Sequence, residues 1–530
     1  MEIDSREKLD DHIKWVKFSG ISWEGDGFYY SRYEEPKGSK LSQKNENHKV
    51  YYHKVGQAQS KDRLVYENPD EPQRNYYAGT TDDEKFLILY ETETTTGNAL
   101  YFKDLTKKRA GFTPIVTGFD NDYTVVDDWD GKLLVRTNYE APKYRLIEIV
   151  PNKPGKENWK TILPEKDEVL EGVAIVGGKI VAEYMKDAYS QAFIHDMDGN
   201  YIADLDLPGI GSMSGFNGEK DEDIAFYSFT SFTIPSTIYK YDIGKNESEV
   251  YREPKLIMED ISFVTNQVFY KSKDGTEIPM FIVHRAGLEM DGKNPTLLYG
   301  YGGFNVSLTP SFSTTRLLLL EQGGIFAMPN IRGGGEYGEE WHLAGTKENK
   351  QNVFDDFIAA AEFLIEKGYT SPDYLAMQGG SNGGLLVGAV MTQRPDLMKV
   401  AFPAVGVMDM LRYHLFTIGY AWASDYGTSD DPEAFEYLIE YSPLHNIEQG
   451  VCYPATMVTT ADHDDRVVPA HSFKFLSELQ YKQGCNNPTL IRIETKAGHG
   501  AGKPTSKIIE EYADIYSFMF YNMDFTPVYE

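Results

Sequence analysis

The chain has 530 residues, 41% of them hydrophobic and 13% aromatic, more than a single core can organise, so two or three domains are expected. Lys and Arg number 52 against 81 Asp and Glu, and the net charge of −29 argues against nucleic acid or an anionic membrane as partner; solubility explains it. The two cysteines, Cys452 and Cys485, imply no disulfide framework and a reducing compartment, and neither a signal-peptide core in Met1-Glu-Ile-Asp-Ser-Arg6 nor an apolar run of about 18 residues is present, so a soluble, cytoplasmic protein is expected; it is also expected to be a monomer.

Residues 1–252 repeat a loose unit of strand, tight turn with Asp, Gly or Asn, second strand, loop and third strand. The clearest copies are 21–30, 78–90, 124–135, 173–183 and 214–227. Their spacing of roughly 40–60 residues is that of four-stranded propeller blades, and about five units fit. A pair of β-sandwiches is the alternative, because the repeat is weak residue by residue.

From residue 253 to 530 the texture changes. A hairpin over 268–283 turns at Asp274-Gly275. Short strands at 295–299, 324–328, 374–378, 458–460 and 490–493 then alternate with amphipathic helices. In the helix over 354–365, Phe354, Phe357, Ala361 and Leu364 share one face. Such alternation predicts a mainly parallel sheet with helices on both faces, its functional residues in loops at the carboxyl ends of the strands.

The run Met377-Gln-Gly-Gly-Ser-Asn-Gly-Gly384 places Ser381 between Gly379 and Gly383, between a short buried strand and an apolar helix over 385–391. This G-x-S-x-G spacing suits a serine held on a sharp strand-to-helix turn with its hydroxyl exposed. A serine hydroxyl needs a histidine to take its proton and a carboxylate to orient that histidine, in the chain order Ser, Asp or Glu, His. Downstream, Ala461-Asp-His-Asp-Asp-Arg466 is an acidic loop after a strand, and Ala497-Gly-His-Gly-Ala-Gly502 carries His499 between glycines. His463 is the rival base, but it precedes the carboxylates and leaves the His499 loop unexplained. Spacing does not choose among Asp462, Asp464 and Asp465. His12, His48, His53 and His195 read as surface or satisfied polar groups. No cofactor or metal is expected: the residues around His463 lack the spread of a zinc site, and Gly333-Gly-Gly335 lacks the Lys-Ser/Thr of a phosphate loop.

These motifs extend to a resemblance. Tyr299-Gly-Tyr-Gly-Gly-Phe304, Asn330-Ile-Arg-Gly-Gly-Gly-Glu-Tyr-Gly338, Gly379-Gly-Ser-Asn-Gly-Gly384, Val407-Met-Asp-Met410, Trp422-Ala-Ser-Asp-Tyr426, Ala461-Asp-His-Asp-Asp-Arg-Val-Val-Pro469 and Thr495-Lys-Ala-Gly-His-Gly-Ala-Gly-Lys-Pro504 occur in the order of the prolyl oligopeptidase family. The chain resembles that family over essentially all of 260–524. The resemblance implies an α/β hydrolase domain with an all-β propeller. It also implies a serine endopeptidase that cleaves short proline-containing peptides after proline, through an acyl-enzyme. It assigns Ser381 as nucleophile, His499 as general base and acid, and Asp464 as the carboxylate. Tyr301 and the N–H of Asn382 become oxyanion donors. Trp422 stacks on the proline ring, Phe304, Val407, Tyr426 and Val467 complete the pocket, and Arg466 holds a substrate carbonyl. The family's related oligopeptidase B prefers basic residues and needs carboxylates there instead.

The resemblance begins inside the propeller, at residues 9–18, which implies that roughly two blades and a leading segment are absent and that the filter for short peptides is open. Two other functions compete: an interaction protein with an impaired hydrolase, and a general esterase on the same fold.

Overall fold

The computed structural model describes residues 5–255, 261–500 and 502–528; the reading of the first four residues, and residue 501 of the histidine loop, lie outside them. The chain divides into two compact units, Met1–Glu165 and Lys166–Glu530.

The first unit holds three antiparallel sheets of four strands, beginning at Ser22, Asn75 and Tyr123, each laid down in chain order. The second unit opens with two more, beginning at Val169 and Ser212, so the five expected repeats are five four-stranded sheets. Turn chemistry sets their registers. Asp130 and Gly131 (φ 51° and 73°) and Gly177 and Gly178 (54° and 65°) are left-handed pairs, as two-residue hairpins between right-twisted strands require. The pattern in the sequence showed three strands per unit. The fourth was invisible because outer strands such as Glu247–Arg252 are exposed throughout and carry no alternation. Between the second and third sheets, Leu100, Leu133, Val135, Ile147 and Ile149 form a common core. His12 is exposed, whereas His48 and His53 are buried and satisfied, His53 between Asp11 and Asp62 at 2.9 and 2.7 Å.

The rest of the second unit is an eight-stranded sheet. We label its strands β1 (Phe263–Lys271), β2 (Glu277–Arg285), β3 (Thr296–Tyr299), β4 (Ile325–Pro329), β5 (Leu375–Gly380), β6 (Val400–Ala404), β7 (Ala455–Ala461) and β8 (Thr489–Glu494). The order is β1-β2-β4-β3-β5-β6-β7-β8, with β2 antiparallel to both neighbours and every pairing from β4 to β8 parallel. This is the order of an α/β hydrolase. Helices α1 (Thr314–Glu321), α2 (Gln351–Glu366), α3 (Asn382–Gln393), α4 (Ala470–Lys482) and α5 (Thr505–Asn522) cover it. Alternate strand residues Phe281, Val283, Leu297, Phe326, Met328 and Phe402 join Leu319, Leu320, Met519 and Phe520 of α1 and α5 in one core. The intervening residues Met280, Ile282, Leu298, Ala327 and Met377 face the other way, and are as fully buried. As the periodicity predicts, Phe354, Phe357, Ala361 and Leu364 form the buried stripe of α2. Among the described residues no helix is long and apolar enough to cross a membrane.

One expectation is corrected. Cys452 and Cys485 are bonded to each other, with Cα atoms 5.0 Å apart. The reason is register: β7 and β8 pair in parallel with Thr456 opposite Thr489, and each cysteine lies four residues before its member of that pair. A separation of 33 residues along the chain does not reveal that alignment.

Candidate active site

All the candidate residues after β3 follow the carboxyl ends of parallel strands or pack beside them. β5 ends at Gly380 and α3 begins at Asn382, leaving Ser381 alone at the junction with φ 58° and ψ −117°. A left-handed non-glycine backbone costs about 1–3 kcal/mol and persists where its surroundings over-determine it. Here the Ser381 N–H donates to Ala404 O (2.9 Å) in β6, and its carbonyl accepts from Gly384 and Leu385 in α3. The flanking glycines are sterically required: a Cβ on Gly379 would strike the Gly383 carbonyl, and one on Gly383 the Gly300 carbonyl.

Asp464, after β7, is completely buried. Its Oδ1 accepts from the backbone N–H groups of Arg466 (3.0 Å) and Val467 (2.9 Å), while Oδ2 lies 2.6 Å from Nδ1 of half-buried His499, after β8. Of the three aspartates that spacing does not separate, Asp464 is the one whose side chain meets His499. Asp462 instead pairs at 2.5 Å with the exposed ring of His463, which takes that histidine out of the site. The carboxylate–imidazole link is made; no hydrogen bond joins Ser381 Oγ to His499 among the described residues. Catalytic hydrogen bonds of this type commonly tighten only in the substrate complex.

Tyr301, just past β3, is half-buried. Burial pushes its phenol up to about 12, against the opposing effects of a hydrogen bond with Ser381 and the charge of Arg466. The hydroxyl therefore stays protonated and able to donate near neutral pH. The Asn382 N–H is the first of α3 and has no acceptor within the helix.

The aromatic candidates form one connected group. Tyr426 meets Phe304 edge-on (centroids 5.2 Å, 85°) and Tyr413 likewise (5.3 Å, 81°), and Tyr413 lies parallel to Trp422 at 6.0 Å. Val407 and Val467 are buried. Arg466 is exposed, its main chain tied to Asp464. This aromatic group adjoins the elbow, since the Tyr426 hydroxyl donates to Oδ1 of Asn382, the residue after Ser381, at 2.7 Å.

Comparison with known proteins agrees on both parts of the chain. The model described as "Prolyl oligopeptidase, N-terminal beta-propeller domain" matches residues 1–254, and that described as "Prolyl oligopeptidase family" matches 310–526. The chain belongs to the prolyl oligopeptidase family. A prolyl endopeptidase of Elizabethkingia meningoseptica is 53% identical over 526 residues, 99% of this chain and 74% of that protein. Among solved structures, a chain from a structural and mechanistic study of two prolyl endopeptidases superposes with a TM-score of 0.93 at 42% identity, over 98% of this chain and 77% of its own. Prolyl oligopeptidase B of Galerina marginata, bound to a 35mer hydrolysis and macrocyclization substrate, gives 0.92 at 36%, over 98% and 74%.

Sequence reasoning missed a buried polar cluster beneath this family's motifs: His342, Lys350 and Asp425. Asp425 lies within the quoted run of residues 422–426, but only its aromatic neighbours carry a compositional signal. Lys350 sits in a polar stretch with no periodicity to mark it as internal. His342 Nε2 lies 2.6 Å from Asp425 Oδ1. Burial acts to lower this imidazole, but its interactions with Asp425 and Glu339 outweigh that and raise it to about 9. A histidine raised on folding adds stability that is complete below its unfolded value, ~6.5, and is lost as pH rises through the folded value. The melting-temperature advantage of the wild type over His342→Asn is thus expected to be widest near about pH 6 and to shrink through about pH 9, read by scanning fluorimetry at one fixed heating rate. A difference that does not change with pH would show that the ring is neutral when folded.

Proposed function

We propose that the chain is a serine endopeptidase that hydrolyses short peptides on the carboxyl side of proline, with a propeller domain over 1–252 and the hydrolase over 253–530. The observation that carries this reading is the Asp464–His499 pair at 2.6 Å, following the same carboxyl-terminal ends of the sheet as a left-handed Ser381. In this reading Ser381 Oγ attacks the carbonyl carbon of the proline while His499 Nε2 takes its proton. Asp464 keeps Nδ1 protonated and supports the imidazolium that forms. The oxyanion accepts from the Tyr301 hydroxyl and the Asn382 N–H, donors of a kind whose loss typically costs about 10²–10³ in rate. His499 returns the proton to the departing amine, leaving the acyl group on Ser381. Water then repeats the sequence in reverse roles and frees the acid.

Proline selection rests on the group formed by Phe304, Tyr426 and Trp422, with Val407 and Val467, which presents apolar surface and ring faces to a side chain that has no donors. Arg466 beside Asp464 supplies fixed charge for a substrate carbonyl, a feature a general esterase does not need. The relatives named as prolyl endopeptidases favour a working peptidase over an interaction protein. The domain boundary is supported by the end of the fifth small sheet at Arg252. A cytoplasmic setting rested in part on the cysteine count, and with both cysteines in one bridge that part of the support is gone.

Turnover of a fluorogenic Gly-Pro amide and its Gly-Ala analogue tests the reading. A kcat/KM at least about 100-fold higher for the prolyl substrate is expected, toward the upper end of what a methylene-scale difference in pocket fit provides. Equal rates would remove the proline assignment.

A further inference from the structure

The loop after β3 carries both Tyr301 and Phe304, and three of its main-chain groups end on buried side chains from three separate segments. Tyr301 O accepts from Asn382 Nδ2 (2.6 Å), Gly302 O accepts from Lys350 Nζ (2.8 Å), and Phe304 N donates to Asp425 Oδ2 (2.7 Å). The loop has little slack of its own. Phe304 and Asn305 are both left-handed, at 58° and 57°, and a Cβ on Gly302 or Gly303 would strike Val353 and Ile331 or the Asn382 side chain.

Two of the anchors, Asn382 and Lys350, also meet each other, and Tyr426, the residue after Asp425, meets Asn382. Asn382 Oδ1 accepts from the Tyr426 hydroxyl (2.7 Å) and lies 3.3 Å from Lys350 Nζ, which stands 5.4 Å from the Tyr426 ring centre. The groups facing Lys350 are thus two neutral acceptors, Gly302 O and Asn382 Oδ1, and one aromatic ring; burial lowers its ammonium to about 8, still charged near neutral pH, and the charge of Asp425, itself paired with His342, opposes that lowering. Removing an ammonium and a carboxylate from water is costly, and neutral side chains could hold a loop of this size more cheaply. What the charges add is stiffness at the two points that matter to the reaction, because charge-assisted hydrogen bonds are shorter and stronger than neutral ones.

We propose that Lys350 and Asp425 are positioning residues: Lys350 holds the Tyr301 hydroxyl where the oxyanion develops, and Asp425, carried between Trp422 and Tyr426, ties the proline recess to that same loop through Phe304. Filling the recess with a proline ring then steadies the oxyanion donor, so proline acts on kcat as well as on binding. This rests on the function proposed above.

The test uses the full chain with Lys350→Met and Asp425→Asn, rates being expressed per active site counted by fluorophosphonate labelling. For Lys350→Met, kcat on the Gly-Pro amide is expected to fall about 10–100-fold with KM changed by less than about 3-fold. Affinity for a peptidyl-prolinal, whose Ser381 adduct places an oxygen in the oxyanion position, should fall by the same factor, and affinity for the cleaved Gly-Pro acid should not. Asp425→Asn keeps an acceptor for the Phe304 N–H and is expected to narrow the ratio of prolyl to alanyl kcat about 10-fold. Asp425→Asn decides the matter if Lys350→Met yields no labelled sites. Unchanged kcat per labelled site, or equal weakening of aldehyde and acid, would overturn the proposal, since a merely structural role reduces the number of active sites and not the rate at each. A wild type that fails to label at Ser381 or to prefer proline sinks the proposed function instead.

Discussion

Ser381→Ala is expected to lower kcat on a Gly-Pro amide by about 10⁶, with a circular dichroism spectrum like that of the wild type. The size follows from what is removed. Without Oγ no acyl-enzyme forms, and catalysis falls back on the oxyanion donors and substrate binding, which by themselves leave about 10³–10⁴ over water. The substitution is benign for the fold because alanine meets the same left-handed backbone, and the bonds that hold the elbow, Ser381 N to Ala404 O and Ser381 O to Gly384 and Leu385, belong to the main chain. Intact-mass measurement after fluorophosphonate treatment should show one adduct on the wild type and none on the variant. Turnover within about tenfold of wild type would place the chemistry on another residue.

Asp464→Asn is expected to lower kcat by about 10⁴ with little effect on KM. Asp464 Oδ1 is already committed to two backbone N–H groups, at 3.0 and 2.9 Å, so an asparagine would keep its carbonyl oxygen there. Its amide NH₂ would then face His499 Nδ1, now 2.6 Å from a carboxylate oxygen. An NH₂ forces Nδ1 to accept, which moves the proton to Nε2, the nitrogen that must receive the serine proton. The fold would tolerate the change while the tautomer would be wrong. Asp465→Asn serves as the control and should stay within a few-fold of wild type, about 3-fold or less. The reverse pattern, a large loss at Asp465 and a small one at Asp464, would refute the assignment.

Much of the chain's plan is local, and local patterns are what a sequence displays. Phe354, Phe357, Ala361 and Leu364 recur at helical spacing because one stripe of α2 must leave water, and the structure buries all four. Asp130-Gly131 and Gly177-Gly178 announce hairpins since few residues tolerate left-handed backbone. The outer strands of the five small sheets escaped notice for the converse reason: Glu247–Arg252, exposed on both faces, has no alternation to read.

The site divides along the same line. Its elbow is a consequence of consecutive residues, a strand, glycines and a helix start, so Ser381 could be singled out without coordinates. Spacing could not say which carboxylate serves His499, because three aspartates within four positions differ in the direction they face; only the family resemblance pointed to Asp464. The parallel pairing of β7 with β8 turns Asp464 inward to the ring and leaves Asp462 to His463; the same pairing brings Cys452 to Cys485. The His342–Asp425–Lys350 cluster also belongs to the tertiary structure. A charged side chain looks the same in a sequence whether it is solvated or sealed beneath a loop, and only packing decides which.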